Sequence, residues 1–248
     1  MEPLVHLRST VALLGRFPAL AGVDLDVAAG EVVLVRGPNG AGKTSLLRTC
    51  AGLVPVASGQ AEVAGVDLVT DRAAVRPLVG LLGHATGLYD DMTALDNVRF
   101  WARAAGVDAG DAPAALERVM LPPRTWSHSV AQLSAGQRRR VSLAVLVAKR
   151  PRLWLLDEPH AGLDAEARDV LDALIAEAAT AGATVLFASH ELDRAVAVAD
   201  RVVTLVGGMV TGSVPGGRPA PSAVEPATSA RPPKERAPME GVSTGGAS

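Results

Sequence analysis

The chain has 248 residues and a mass of 25.4 kDa, enough for one large α/β domain or two small ones, and enough to bury a core without covalent staples. Its 24 Lys and Arg against 26 Asp and Glu give a formal charge of -2, which argues against a strongly basic binder of nucleic acid or anionic membranes. A single cysteine, Cys50, excludes an intramolecular disulfide or a multi-cysteine zinc site and fits a reducing, cytosolic setting.

In chain order, the first residues carry Glu2, Pro3, His6 and Arg8 without a long apolar core, so no export leader is expected. Glu31 to Arg36 is a β-rich run. Gly37 to Thr44 is a glycine-rich turn, and Ser45 to Ala51 has a helical pattern. Residues from about 85 to 149 are predicted as an inserted helical subdomain punctuated by Pro113, Pro122 and Pro123. Its last helical run, Arg138 to Ala148, contains the apolar stretch Val141 to Ala148, closed by Lys149 and Arg150. That stretch is far short of the ~20 residues that span a bilayer. Leu153 to Leu156, Thr184 to Phe187 and Arg201 to Val206 are further β-rich runs. Between the first two lies a helix over Ala165 to Ala181, with Asp164 as N-cap and Gly182 as stop.

Short apolar runs without alternation suit strands buried on both faces, and their alternation with helices predicts an α/β fold with a mostly parallel sheet. Residues 213–248, rich in Pro, Gly, Ser and Ala, are predicted to be a disordered tail, leaving 1–212 as the folded domain. In that tail Arg231, Lys234 and Arg236 alternate with Glu235 and Glu240 and read as solvated charge.

Gly37-Pro38-Asn39-Gly40-Ala41-Gly42-Lys43-Thr44, followed by Ser45, fits a phosphate-binding loop between a strand and a helix. Glycines let successive backbone N–H groups turn toward phosphate oxygens, the helix N-terminus adds positive dipole, Lys43 reaches the outer phosphates, and the Thr44 hydroxyl can hold Mg2+. Leu153-Trp-Leu-Leu-Asp157-Glu158 is an apolar strand ending in two carboxylates. Burial disfavours such a pair unless it meets a cation or a proton to be moved. Asp157 suits a Mg2+ shell and Glu158 an attacking water, against the plainer reading of an acidic loop. His190, after the Thr184 to Phe187 run, is placed at the same sheet edge, where it either touches a γ-phosphate or is structural. Ser134-Ala135-Gly136-Gln137 at a helix start is either a second anion site or an ordinary N-cap.

Taken in order, GPNGAGKT, LSAGQ, LWLLDEP, AGLD (Ala161 to Asp164) and His190 resemble the nucleotide-binding subunits of ATP-binding cassette (ABC) transporters over residues 4 to 211. The resemblance implies a P-loop NTPase with an N-terminal antiparallel β element, a mostly parallel sheet and the helical insertion. It also implies an ATPase that uses ATP and Mg2+ and works as a homodimer beside an integral-membrane permease. The subunit would lie peripherally on the cytoplasmic face of the cell membrane, without a nucleic-acid partner.

The same resemblance gives each motif residue a role. Lys43 would bind the β- and γ-phosphates within the Gly37 to Ser45 cradle, Thr44 and Asp157 would hold the metal, and Glu158 would act on the water. Ser134, Gly136 and Gln137 would meet the nucleotide of the partner subunit, Asp164 would lie near the dimer contact, and His190 would sense the γ-phosphate. Leu82 to Gly87, Met92 to Phe100 and the Ala form of the signature resemble more narrowly the ATP-binding subunits of haem exporters used in cytochrome c maturation.

Two positions depart from the family pattern. His84, followed by Ala85, stands where a glutamine that touches Mg2+ is expected. Leu14 stands near the place of an adenine-stacking aromatic, which leaves Phe17 or the flat Arg16 guanidinium as substitutes, unless Phe17 packs in the core. Alternatives are the ATPase subunit of a drug or lipid exporter and a soluble, non-transport cassette ATPase. A P-loop GTPase or kinase would not need the second anion site.

Overall fold

A computed structural model describes residues 3–218. Two sheets share one helix between them. The first is an antiparallel sheet of β1 (Val5–Leu14), β2 (Phe17–Val27), β4 (Val56–Val63) and β5 (Val66–Asp67), in the order β2-β1-β4-β5. The second contains β3 (Val32–Arg36), β6 (Val79–Leu82), β7 (Leu153–Asp157), β8 (Thr184–Ala188), β9 (Arg201–Val206) and β10 (Met209–Pro215), in the order β10-β9-β3-β8-β7-β6. All pairings here are parallel except the β9–β10 hairpin. The fold is α/β, a mostly parallel sheet with an N-terminal antiparallel element, as the sequence predicts.

The unbroken apolar strands are explained by burial on both faces. Val32, Leu34, Leu156, Phe187 and Val202 point into one core, packed by α5 (Ala135–Lys149) and α6 (Ala165–Thr180). Val33, Val35, Leu155, Leu186 and Val203 point into the other, which the antiparallel sheet closes. Helix α1 (Lys43–Cys50) lies in that second core, touching β7 and β8 on one side and β1, β2 and β4 on the other. Cys50 sits there fully buried, and burial pushes its thiol up to about 12, so it acts as a small apolar residue. The four-residue α2 (Leu68–Asp71) leads toward β6, and α7 (Leu192–Val198) joins β8 to β9.

The insertion holds α3 (Ala94–Ala104) and α4 (Ala112–Arg118), both packed on α5. Residues 85–93, expected to be helical, form an irregular strap instead. Fully buried Asn97 secures it: its Nδ2 donates to Tyr89 O and Thr93 O at 3.0 Å each, and its Oδ1 accepts from Tyr89 N at 2.8 Å. A segment whose backbone is bound by a side chain has no need of its own helical ladder. Helix α5 begins at Ala135 rather than Arg138, because Ser134 and Gln137 close a capping box.

The folded part also runs past the expected boundary at residue 212. Gly212 lies at a register shift within β10 rather than at an end, and Arg218 Nη1 meets Asp200 Oδ2 at 3.0 Å. The tail expected over 219–248, with Arg231, Lys234 and Arg236, lies outside the described residues. Among the described residues, no helix is long and apolar enough to cross a membrane.

Leu47 is fully buried on the helix that both sheets share. Leu47→Ala should lower the unfolding free energy by about 2–5 kcal/mol in urea titration. Val69→Ala on the exposed surface should stay within about 0.5 kcal/mol. Equal effects would contradict the shared-helix core.

Candidate functional site

The phosphate-loop segment leaves β3 and is wedged between other backbones before it enters α1. A Cβ on Gly37 would sit 2.0 Å from Leu205 O, and one on Gly42, whose φ is +104, would sit 2.4 Å from Ala19 O. Only glycine lets the chain pass here. Lys43 Nζ turns back over the loop and donates to Gly37 O at 2.8 Å and Pro38 O at 3.2 Å. Helix α1 has no side-chain cap and no acidic residue in its first turn, so its N-terminal N–H groups and positive dipole face the cleft.

That cleft measures about 1070 Å³ and is lined by Asn39 to Ser45, by His84 to Leu88, and by Asp157, Glu158 and His190, with Leu14 and Ala19 at the hairpin end. It opens at the carboxyl ends of β3, β7 and β8, where ligands bind in open α/β sheets. Thr44 Oγ1 donates to Asp157 Oδ2 at 2.8 Å. A hydroxyl and a carboxylate side by side are hard oxygen donors, and they fit Mg2+, which binds few protein ligands and keeps waters or phosphates for the rest. The described residues hold no group of three or more His, Cys, Asp and Glu that would form a self-sufficient cage.

Glu158 stands in the left-handed region with φ +48, a conformation that costs a non-glycine residue about 1–3 kcal/mol. Its amide donates to Ala188 O at 2.9 Å, which ties the β7 end to β8. Glu158 Oε2 accepts from the His190 amide at 2.9 Å, and His190 Nε2 lies 3.3 Å from Oε1. The neighbouring strand ends therefore bring Glu158 and His190 together at the cleft. One carboxylate oxygen is oriented by a fixed amide and the other faces a half-exposed imidazole.

The signature segment is placed differently. Ser134 Oγ accepts from Gln137 N at 3.2 Å, and Gln137 Oε1 accepts from Ser134 N at 2.9 Å. Ser134, Gly136 and Gln137 do not line the phosphate cleft; their neighbours Ala135, Arg138 and Arg139 do. Asp164 is also outside the cleft. It caps α6 through Ala167 N at 2.9 Å and pairs with Arg140 at 2.6 Å, and these two contacts hold its carboxyl below the usual range. A Cβ on Gly136 would come within 3.2 Å of Gly162 O, so the AGLD turn packs on the start of α5.

Of the candidates for a base platform, Leu14 lines the cleft, while its cross-strand neighbour Phe17 is 79% exposed. Phe17 therefore does not pack in the core, because it stands at the solvent-exposed end of the β1–β2 hairpin. His84 is exposed and lines the cleft at the position expected for glutamine.

Sequence reasoning missed Arg139. Its guanidinium is buried beneath the carboxylate pair, donating from Nη1 to Gly83 O at 2.6 Å and from Nη2 to Asp157 O at 3.1 Å and Glu158 O at 2.7 Å. Burial pulls the guanidinium below its ordinary value, and the charges of Asp157 and Glu158 oppose that pull. The signal was helical spacing: Arg139 stands three and four residues before the buried Ser142 and Leu143, on the inward face of α5.

Comparisons with known proteins agree on one family. The ABC transporter family model matches residues 20–161. The cytochrome c biogenesis ATP-binding export protein CcmA of Bordetella bronchiseptica is 40% identical over 195 residues, covering 76% of this chain and 85% of that protein. A sulfate/thiosulfate import ATP-binding protein, CysA 1 of Rhizobium meliloti, is 36% identical over 214 residues, covering 83% of this chain and 61% of its own length. Among solved structures, a dimeric bacterial ABC transporter cassette superimposes with a TM-score of 0.79 at 25% identity, covering 87% of this chain and all of that one.

Gly42→Ala places a methyl group against a backbone oxygen in a conformation that alanine resists. It should cost about 1–3 kcal/mol of stability in urea titration. An unchanged midpoint would show that the loop is not wedged as described.

Proposed function

This chain belongs to the ABC transporter family as an ATP-binding subunit with ATPase activity, and we propose that it drives haem export for cytochrome c biogenesis through a separate membrane subunit. The narrower reading is supported by the 40% identity to a cytochrome c biogenesis export subunit over most of both chains. It is also supported by the Ala form of the signature, LSAGQ, beside GPNGAGKTSLLR.

In this reading the Gly37 to Ser45 loop and the open N-terminus of α1 cradle the triphosphate. Lys43 exchanges its carbonyl partners for β- and γ-phosphate oxygens. Thr44 and Asp157 hold Mg2+, which supplies charge neutralisation at the phosphates when bound. Glu158 takes the proton of the attacking water, with the His190 amide fixing its carboxylate and the His190 ring facing the γ-phosphate. In-line attack then needs only that water be held opposite the leaving β-phosphate.

Ser134, Gly136 and Gln137 are assigned to the nucleotide of a second copy. What supports this is that the start of α5 offers a hydroxyl and a helix dipole, yet none of the three residues lines its own cleft. Two subunits pair with ATP and part after hydrolysis. The permease senses the change through its differential affinity for the two states. The subunit lies on the cytoplasmic face of the membrane, bound to that permease, and a net charge of -2 gives no electrostatic footing for nucleic acid.

Glu158→Gln should still bind ATP and accumulate as a dimer, while steady-state turnover falls about 10²–10⁴-fold. Unaltered turnover would remove Glu158 from the role of base. The cargo is tested by deleting the gene in its host and staining for covalently bound haem. Loss of c-type cytochromes, restored by the wild-type gene and not by Glu158→Gln, is expected. Normal cytochromes with defective drug, lipid or sulfate transport would reassign the cargo.

A further inference from the structure

Arg139 is a cation buried beneath the Asp157–Glu158 turn, and it spends its hydrogen bonds on backbone carbonyls rather than on the two carboxylates. Its two terminal nitrogens hold three backbone oxygens from two separate segments, Gly83 O before the cleft-lining His84 and the carbonyls of Asp157 and Glu158 at the end of β7. Its Nε is buried without a partner. The side chain is rooted in α5, whose first residue follows Ser134 directly, so the same rigid helix carries the signature at its tip and this fork five positions later. A planar guanidinium has its donors in fixed directions, and any rotation or shift of α5 must stretch bonds to the β7 corner or carry that corner with it.

We propose that Arg139 is a positioning residue that couples the two nucleotides of the paired subunits, by tying the signature end of α5 to the backbone of Glu158 and Gly83 in the same chain. This coupling rests on the paired-subunit reading above. There, Ser134 answers to the partner's ATP while Glu158 answers to the chain's own, so a link within one chain becomes a link between two sites. When the partner's nucleotide draws on Ser134, α5 moves as a body and the Arg139 fork re-aims the Asp157–Glu158 turn. Glu158 is sensitive to such a push because its left-handed backbone is held by contacts rather than by its own preference. Coupling of this kind is reciprocal for binding, so the state of Glu158 equally biases how Ser134 is presented.

The test is the ATP dependence of ATPase turnover by the full-length protein, for wild type, Arg139→Lys and Arg139→Gln, with thermal melts run on each. Lysine keeps the charge and loses the fork, so both variants should behave alike. Affinity of the subunit for a fluorescent ATP analogue should stay within about twofold, turnover should fall on the order of 10–100-fold, and the Hill coefficient should drop from above 1 in wild type to about 1. A merely structural role would slow turnover and leave cooperativity in place, and that result in Arg139→Lys overturns the coupling, as does wild-type turnover in that variant. A non-cooperative wild type whose Glu158→Gln form still pairs in ATP overturns it too. If Glu158→Gln stays single in ATP, the paired-subunit reading has failed and the coupling falls with it.

Discussion

The feature on which the rest of the molecule depends is the end of β7, where a strand buried on both faces delivers two adjacent carboxylates opposite the uncapped N-terminus of α1. Two negative groups at the mouth of an apolar core are unfavourable alone. Here Thr44, the His190 amide and the buried Arg139 guanidinium surround the turn, so its charge and backbone are held in place. Across the gap Lys43 is satisfied by its own loop's carbonyls, and the helix dipole faces open space. The cleft thus sets the positive end of a helix against a pair of carboxylates, and the two sheets with α1 between them keep its two walls in register.

Much of this was legible before any coordinates because the physics of the central strands leaves a plain trace. Val32 to Val35, Leu153 to Leu156 and Thr184 to Phe187 are unbroken apolar runs because both of their faces are covered, and the motif residues follow them directly. Lys43, Thr44, Asp157, Glu158 and His190, singled out from the sequence, meet at one cleft. Strand β6 left less trace, since its four residues include Gly80, where a Cβ would lie 2.2 Å from Leu146 Cδ1. The strap over residues 85–93 differs from the helix expected there because its backbone is bound from outside, by Asn97, by Ser142 Oγ at Thr86 O and by the amides of Val130 and Ala131. Arg139 was hidden among three consecutive arginines, a run that looks solvated until the helix face is drawn.

The site is also incomplete in an informative way. The cleft has a glycine-rich loop, a hydroxyl–carboxylate pair and an oriented carboxylate, yet the serine, glycine and glutamine of the signature lie at a helix cap outside it. The capping box satisfies the amides of Gln137 and Ser134, and the amides of Ala135 and Gly136 between them stay available to an anion approaching from another molecule. Gly162 packs against that same helix start, and Asp164 pairs with Arg140 further along α5. The cargo is a separate matter. Relatives named for cytochrome c biogenesis and for sulfate import share this cassette at 40% and 36% identity, so likeness of the cassette does not by itself fix the cargo.

The central claim is that one chain holds half of each ATP site, and mixing two inactive variants tests it most directly. Lys43→Ala lacks the cradle and Ser134→Arg blocks the signature, so each is inactive alone. In a mixed dimer one site has both defects, and the other pairs an intact cradle with an intact signature. The account requires ATPase activity to reappear on mixing, in proportion to the mixed dimer formed. Two silent variants that remain silent together, while forming that mixed dimer, would contradict it.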